Sequence, residues 1–272
     1  MNDRLLARLL SIPGARSLWL RHPIGDIPTR VRFGAFDRAH YAYGVYRAAD
    51  LACSLKLPAI SVIELGVAGG IGLLSLERIS SEIAAHFGIK IAVFGFDSGE
   101  GMPDATSYKD LPYVWSRGFY KMDQERLRKQ LSAAELVLGD ISRTIPAFAQ
   151  RPGLPPVGFV AFDLDYYSST RQAFSLFDAP AATRLPRVFC YFDDIIWPES
   201  ACYNEFTGEL AAIREFNDEH PDRKIGALHM LRHLRPFADA WNDQIYVMHD
   251  FGHPQYCTNI TPESQEYTQL PL

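Results

Sequence analysis

The sequence predicts an α/β fold: a seven-stranded sheet, mostly parallel, with helices on both faces and an antiparallel pair of strands at its C-terminal edge. Three observations carry this. Short β-branched or wholly apolar runs alternate with helical patterns five times between residues 61 and 217, as successive crossover units do. Glycine or aspartate closes each of those five runs, and right-handed crossovers gather such ends at one edge of a sheet. Two further strand-like runs near the C-terminus lack a helical pattern between them, which suits an antiparallel pair.

The elements follow in order. Tyr43, Tyr46, Ala49, Leu51, Cys53 and Leu55 give residues 39–56 a helical pattern, and Pro58 stops it. Residues 61–65 (SVIEL) form a strand closed by a glycine cluster, with a helix continuing to about residue 86. Strands at 89–96, 135–138, 157–162 and 187–192 alternate with helices at 123–131, 141–149, 169–177 and 208–217. The first strand is expected at the centre, with the order reversing beside it. The closing strands are expected at 225–231 and 244–249. Residues 99–122 form a long aromatic loop with Tyr108, Tyr113, Trp115, Phe119 and Tyr120; loops of that length in compact domains are usually functional covers.

At 272 residues, 47% apolar and 22% charged, the chain can bury a full core without staples. This composition excludes disorder, a collagen-like fibre and a disulfide-framed miniprotein. A net charge of −5 argues against a broad basic face for nucleic acid, and no run approaches the length of a membrane span. The four cysteines, Cys53, Cys190, Cys202 and Cys257, lack metal or redox spacing and read as reduced, buried thiols of a cytoplasmic protein. Residues 1–40 hold seven arginines against three aspartates, +4, which leaves −9 on the rest. Leu5, Leu6, Leu9 and Leu10 share a helical face there. We therefore expect residues 1–38 to form a helical cover or an oligomer arm, with a homodimer in view, ahead of one continuous domain at 39–272.

Four groups of residues carry chemistry. Glu64-Leu65-Gly66-Val67-Ala68-Gly69-Gly70 is a strand-to-helix turn open to close ligand approach. It lacks the phosphate-loop ending and the G-x-G-x-x-G spacing, and its glutamate suits a cation such as an amino-acid ammonium. Asp97, 27 residues beyond Gly70, stands where a carboxylate accepts ribose hydroxyls, or else caps the next turn. Gly139-Asp140 follows the third strand; Asp140 accepts from an adenine amino group or caps the helix after it. Asp163-Leu164-Asp165 and Asp193-Asp194 end the fourth and fifth strands, neighbours about 5 Å apart in such a sheet. Asp163, Asp193 and Asp194 then converge, and a divalent ion relieves their repulsion: Mg²⁺, with Mn²⁺ possible. The alternative is capping, or pairing with Arg171 and Lys224.

These residues resemble the class I S-adenosylmethionine-dependent methyltransferases, built on a Rossmann-like sheet. More narrowly, FDSGEGMPD, DLDYYSST and FDDI are similar to the DSFEGLP, DGDLYEST and DDY segments of the macrocin O-methyltransferase family. Leu164, Tyr166, Ser168 and Gly99 stand where that family has glycine, leucine, glutamate and phenylalanine. The resemblance spans about residues 40–250. It implies S-adenosylmethionine across Glu64, Gly66, Gly70, Asp97, Gly139 and Asp140, and Mg²⁺ on Asp163, Asp193 and Asp194. The implied activity is natural-product tailoring: methyl transfer to a hydroxyl of a small molecule, of sugar or natural-product type. A metal holding two vicinal oxygens would act as Lewis acid and template. For proton removal the candidates are Asp165 and the tail histidines His249 and His253. Three rivals remain at this point. A DxD glycosyltransferase explains Asp163 and Asp165 but not the acidic glycine turn. A nicotinamide dehydrogenase explains Gly66 and Asp97 but not the carboxylate cluster. A non-catalytic S-adenosylmethionine-binding homologue explains all of them.

Overall fold

The computed structural model describes residues 3–261. Three short helices, α1 (Asp3–Leu10), α2 (Ala15–Arg21) and α3 (Ile27–Phe33), precede the long α4 (Ala39–Ser54). Strand β1 (Ala59–Leu65) leads through the glycine turn into α5 (Ile71–Phe87) and β2 (Lys90–Asp97). After the long loop come α6 (Gln124–Gln130), β3 (Glu135–Leu138), α7 (Ile141–Ala149) and β4 (Val157–Phe162). Then follow α8 (Tyr167–Ala173), β5 (Arg184–Phe192), α9 (Gly208–Glu219), β6 (Arg223–Ala227), the single turn α10 (Leu231–Leu234) and β7 (Ile245–Asp250).

The seven strands form one sheet in the order β3-β2-β1-β4-β5-β7-β6. The five expected parallel strands are found, with β1 and β4 at the point where the order reverses. β7 runs antiparallel to β6 and also to β5, so it is inserted between them. The β6–β7 connection holds two single helical turns, α10 and a 3-10 turn at Ala240–Asp243, too little for a parallel crossover.

Boundaries shift where backbone chemistry intervenes. β5 begins at Arg184 rather than 187: Pro186 cannot donate to a ladder, and it sits where the β4–β5 register slips. β6 ends at Ala227 because Met230 turns left-handed, at φ 64°.

One core packs α4 and α5 on one face of the sheet, through Tyr41, Ala48, Leu73 and Ile83. The other face is filled by Phe148, Phe174, Phe177 and Phe216 from the α7–α9 side. A small third cluster joins Leu6 and Leu10 to Phe33 and Phe237. Leu5 and Leu9 are not on that face; they are about half exposed. Cys190 is buried, but Cys202 and Cys257 are exposed, against the expectation of buried thiols. Among the described residues no helix is long and apolar enough to cross a membrane.

Candidate active site

A cavity of about 880 Å³ opens at the carboxyl ends of the parallel strands, between the glycine turn, the β2–β5 ends and the aromatic loop. Its geometry starts from Gly66. That residue has φ 87°, and a Cβ built there would lie 1.7 Å from the backbone oxygen of Asp163. Only glycine permits β1 and β4 to end this close together. Asp97 fastens the turn: Oδ2 accepts from the amides of Val67 and Ala68, both at 2.9 Å, and Oδ1 from Gly99 at 2.7 Å. The turn-capping role weighed for Asp97 is thus the contact present, and the residue also lines the cavity. Asp140 likewise caps α7 through Ser142 while lining the cavity with Gly139.

Two expected residues lie outside the lining. Gly70 packs on Leu127, with φ 84°. Glu64 is 1% exposed behind the turn. Its Oε1 accepts from the Tyr41 hydroxyl at 2.8 Å, and Oε2 has no partner. Gly72 leaves it room, since a Cβ there would lie 1.8 Å from Oε1. Burial pushes the Glu64 carboxyl up to about 8.

Beside the turn, carboxylate oxygens of Asp163, Asp193 and Asp194 lie within 4.8 Å of one another. Tyr191 donates its hydroxyl to Asp193, and Gln244 Nε2 holds the Asp193 carbonyl at 2.8 Å. Asp194 Oδ2 accepts from the Asp165 amide at 2.8 Å. Behind them Glu209, fully buried, accepts from the Asp194 amide at 3.2 Å and leaves Oε1 without a partner. Burial, and then the neighbouring charges, hold Asp163, Asp194 and Glu209 well above the usual carboxylate range. Burial pushes Asp165 up to about 6. Arg38 is the cation facing this group: burial works to lower it, and Tyr41, Glu64, Asp163 and Asp193 outweigh that. Arg171 and Lys224 are not the partners, for Arg171 pairs with Glu219 and Lys224 donates to the Asn217 carbonyl.

Sequence reasoning missed Tyr191 in β5, Glu209 in α9, and Arg38 and Gln244 just before α4 and β7, none of which belongs to a motif. It also misplaced His249. That residue pairs in register with Arg187, five residues before Phe192 and so about 16 Å along the strand from the site. Its Nδ1 meets the Tyr256 hydroxyl at 2.9 Å, and His253 Nδ1 accepts from the Gln255 amide.

The aromatic loop is fastened in its middle. Asp110, fully buried, accepts from Thr106 and from the Ser168 amide of α8, and Lys109 pairs with Glu215 of α9. Trp115 and Tyr120 are its aromatic contributions to the cavity lining.

No protein-family model and no curated protein matches the chain. Solved structures do. CalS11, a calicheamicin methyltransferase, superposes with a TM-score of 0.51 at 18% identity, covering 92% of this chain and 91% of its own. The O-methyltransferase NovP gives 0.50 at 13% identity, covering 86% and 98%. At these identities the fold is what is shared: the seven-stranded, mostly parallel sheet that the sequence led us to expect.

Proposed function

We propose that this chain is an S-adenosylmethionine-dependent O-methyltransferase, using Mg²⁺ or Mn²⁺ to methylate a hydroxyl of a small molecule of sugar or natural-product type. One observation carries the reading: three carboxylates within 4.8 Å of one another share a cavity with a glycine turn. A hard, all-oxygen donor set of three clustered carboxylates suits Mg²⁺. The turn suits the donor, because Gly66 lets β1 and β4 end side by side and itself lines the cavity they open on.

In this reading Gly66, Asp97, Gly139 and Asp140 hold the donor half of the cavity, with Glu64 bracing the turn from behind. Asp163, Asp193 and Asp194 hold the ion. When bound, S-adenosylmethionine supplies an activated methyl and the ion a Lewis acid. Asp165, 8% exposed at the cavity wall, takes the proton of the acceptor hydroxyl. The aromatic loop excludes water.

The test is thermal unfolding with S-adenosylhomocysteine, UDP-sugars and NAD in turn, each with and without Mg²⁺. A ligand at a hundred times its Kd stabilises by about 2.7 kcal/mol. We expect a shift with S-adenosylhomocysteine alone among the three, and methyl transfer from labelled S-adenosylmethionine that chelator abolishes. A shift with a UDP-sugar or NAD instead would replace this reading with the corresponding rival.

A further inference from the structure

The cavity wall contains eight carboxylates and not one lysine, arginine or histidine. Most of the eight are committed. Asp97 and Asp140 brace turns, Asp104 pairs with Arg117, and the three clustered aspartates are the ion's. Asp165 takes the acceptor's proton in this reading and Glu100 is left, so the wall stays negative even with a divalent ion in place. Arg38, which faces the aspartates without lining the cavity, offsets one of these charges and no more.

Beside these carboxylates stand aromatic faces. Trp115 and Tyr120 both line the cavity, their ring centroids 6.2 Å apart and tilted by 59°. The Tyr120 hydroxyl feels the charges of Asp165, Asp194, Asp163 and Asp193, so the ring stands near them. Trp197 adds a third ring, 74% exposed. Aromatic faces next to carboxylates attract organic cations, whereas a phosphate or carboxylate beside these rings would meet Glu100 and no basic group. The Trp115 Nε1–H is enclosed without a hydrogen-bond partner; an indole only donates, so it calls for a ligand oxygen.

We infer that the acceptor is a hydroxyl compound bearing an amine, its ammonium held by the faces of Trp115 and Tyr120 and by Glu100. Phosphorylated, nucleotide-activated and carboxylate acceptors are disfavoured, since no side chain of the wall pairs with their charge. This rests on the methyltransferase reading and adds to it the charge class of the acceptor.

The experiment is calorimetric titration of the full chain holding S-adenosylhomocysteine and Mg²⁺, with probes differing only in charge. Dopamine, 4-methylcatechol and 3,4-dihydroxybenzoate form one series; glucosamine, glucose and glucose 6-phosphate form the other. In at least one series the amine should bind roughly 3- to 30-fold more tightly than the neutral member, the range of cation–π contacts, with the anion weakest. The double variant Glu100→Gln/Tyr120→Leu, altering two exposed positions, should lose most of that preference. An anion binding as well as the amine, or no amine binding at millimolar concentration while S-adenosylhomocysteine binds, overturns the inference. If S-adenosylhomocysteine itself fails to bind, the methyltransferase reading falls and takes the inference with it.

Discussion

Glu64→Gln should stabilise the ligand-free protein, and by an amount that depends on pH. The carboxyl is 1% exposed, with one hydrogen bond from Tyr41 and a second oxygen that has none. Its folded pKa is pushed up to about 8, against 4.5 for the ordinary side chain. Between those values the folded chain holds a proton that the unfolded chain has released, so stability falls as pH rises through that window. Each unit is worth about 1.4 kcal/mol. Protonated Glu64 at pH 4 and glutamine at any pH are both neutral and nearly the same shape. The variant should therefore match the parent near pH 4, exceed it by about 3 kcal/mol at pH 7, and level off above pH 8. For 272 residues the entropy of unfolding is about 0.6 kcal/mol/K, so 3 kcal/mol is about 5 °C in Tm. Paired thermal melts at half-unit pH steps measure it. A difference between the two proteins that stays flat from pH 4.5 to 8 would show that Glu64 titrates normally and that its burial is not uncompensated.

Four other outcomes follow from particular contacts. Gly66→Ala puts a methyl group onto the Asp163 carbonyl at a left-handed position, so it should cost several kcal/mol or prevent folding; circular dichroism and denaturant unfolding will tell, and near-parental stability would contradict the close approach of β1 and β4. Asp97→Ala frees the amides of Val67, Ala68 and Gly99 and should cost about 3 kcal/mol of stability as well as donor affinity; loss of affinity at unchanged stability would mean the bracing contacts matter little. Asp110→Ala removes the buried anchor between loop and α8, so amide exchange over 99–122 should speed up in the ligand-free protein, and unchanged exchange would place the anchor elsewhere. Asp163→Asn should lose most of the methyl-transfer rate while S-adenosylhomocysteine still binds, and full parental activity in excess chelator would sink the metal role.

The parallel half of the fold was legible because its strands are apolar runs of the right length and its crossovers have one hand. β4 is VGFVAF, wholly buried, and no helical period competes with it. That same logic put Asp163, Asp193 and Asp194 at one edge before any coordinates. It failed at β7. A polar residue after an apolar strand marks the site edge only when the strand runs with the others, and β7 runs against them. Its last residues, His249 included, therefore point to the far edge, and it is Gln244, just before its start, that reaches Asp193. Arg38 and Glu209 were illegible for a different reason. Each sits at a helix start, and which way such a residue faces depends on how the helix is docked. Asp97 and Asp140 show the limit of residue type: one carboxylate can line a cavity and brace a turn at once.

Elsewhere this chain satisfies its buried charges. Arg184 and Asp250, both about 6% exposed at their side chains, bond to each other across the sheet, with Nε at 3.0 Å. Buried Asp110 accepts from two amides and a hydroxyl. At the carboxyl edge the pattern changes: Asp163, Asp165, Asp194, Glu209 and Glu64 crowd together, two of them with an oxygen that has no partner, and Arg38 is the cation that faces the group. Unpaired buried carboxyls cost several kcal/mol each unless they keep their protons or gain a counter-charge. Replacing them by apolar residues would be the stabilising route, as it is for many buried ion pairs. A fold that satisfies Arg184, Asp250 and Asp110 yet crowds five carboxyls together carries a local conflict, and such conflicts gather where a ligand supplies what the chain lacks. The missing charge is positive, and the proposed ion, sulfonium donor and amine-bearing acceptor would each bring it.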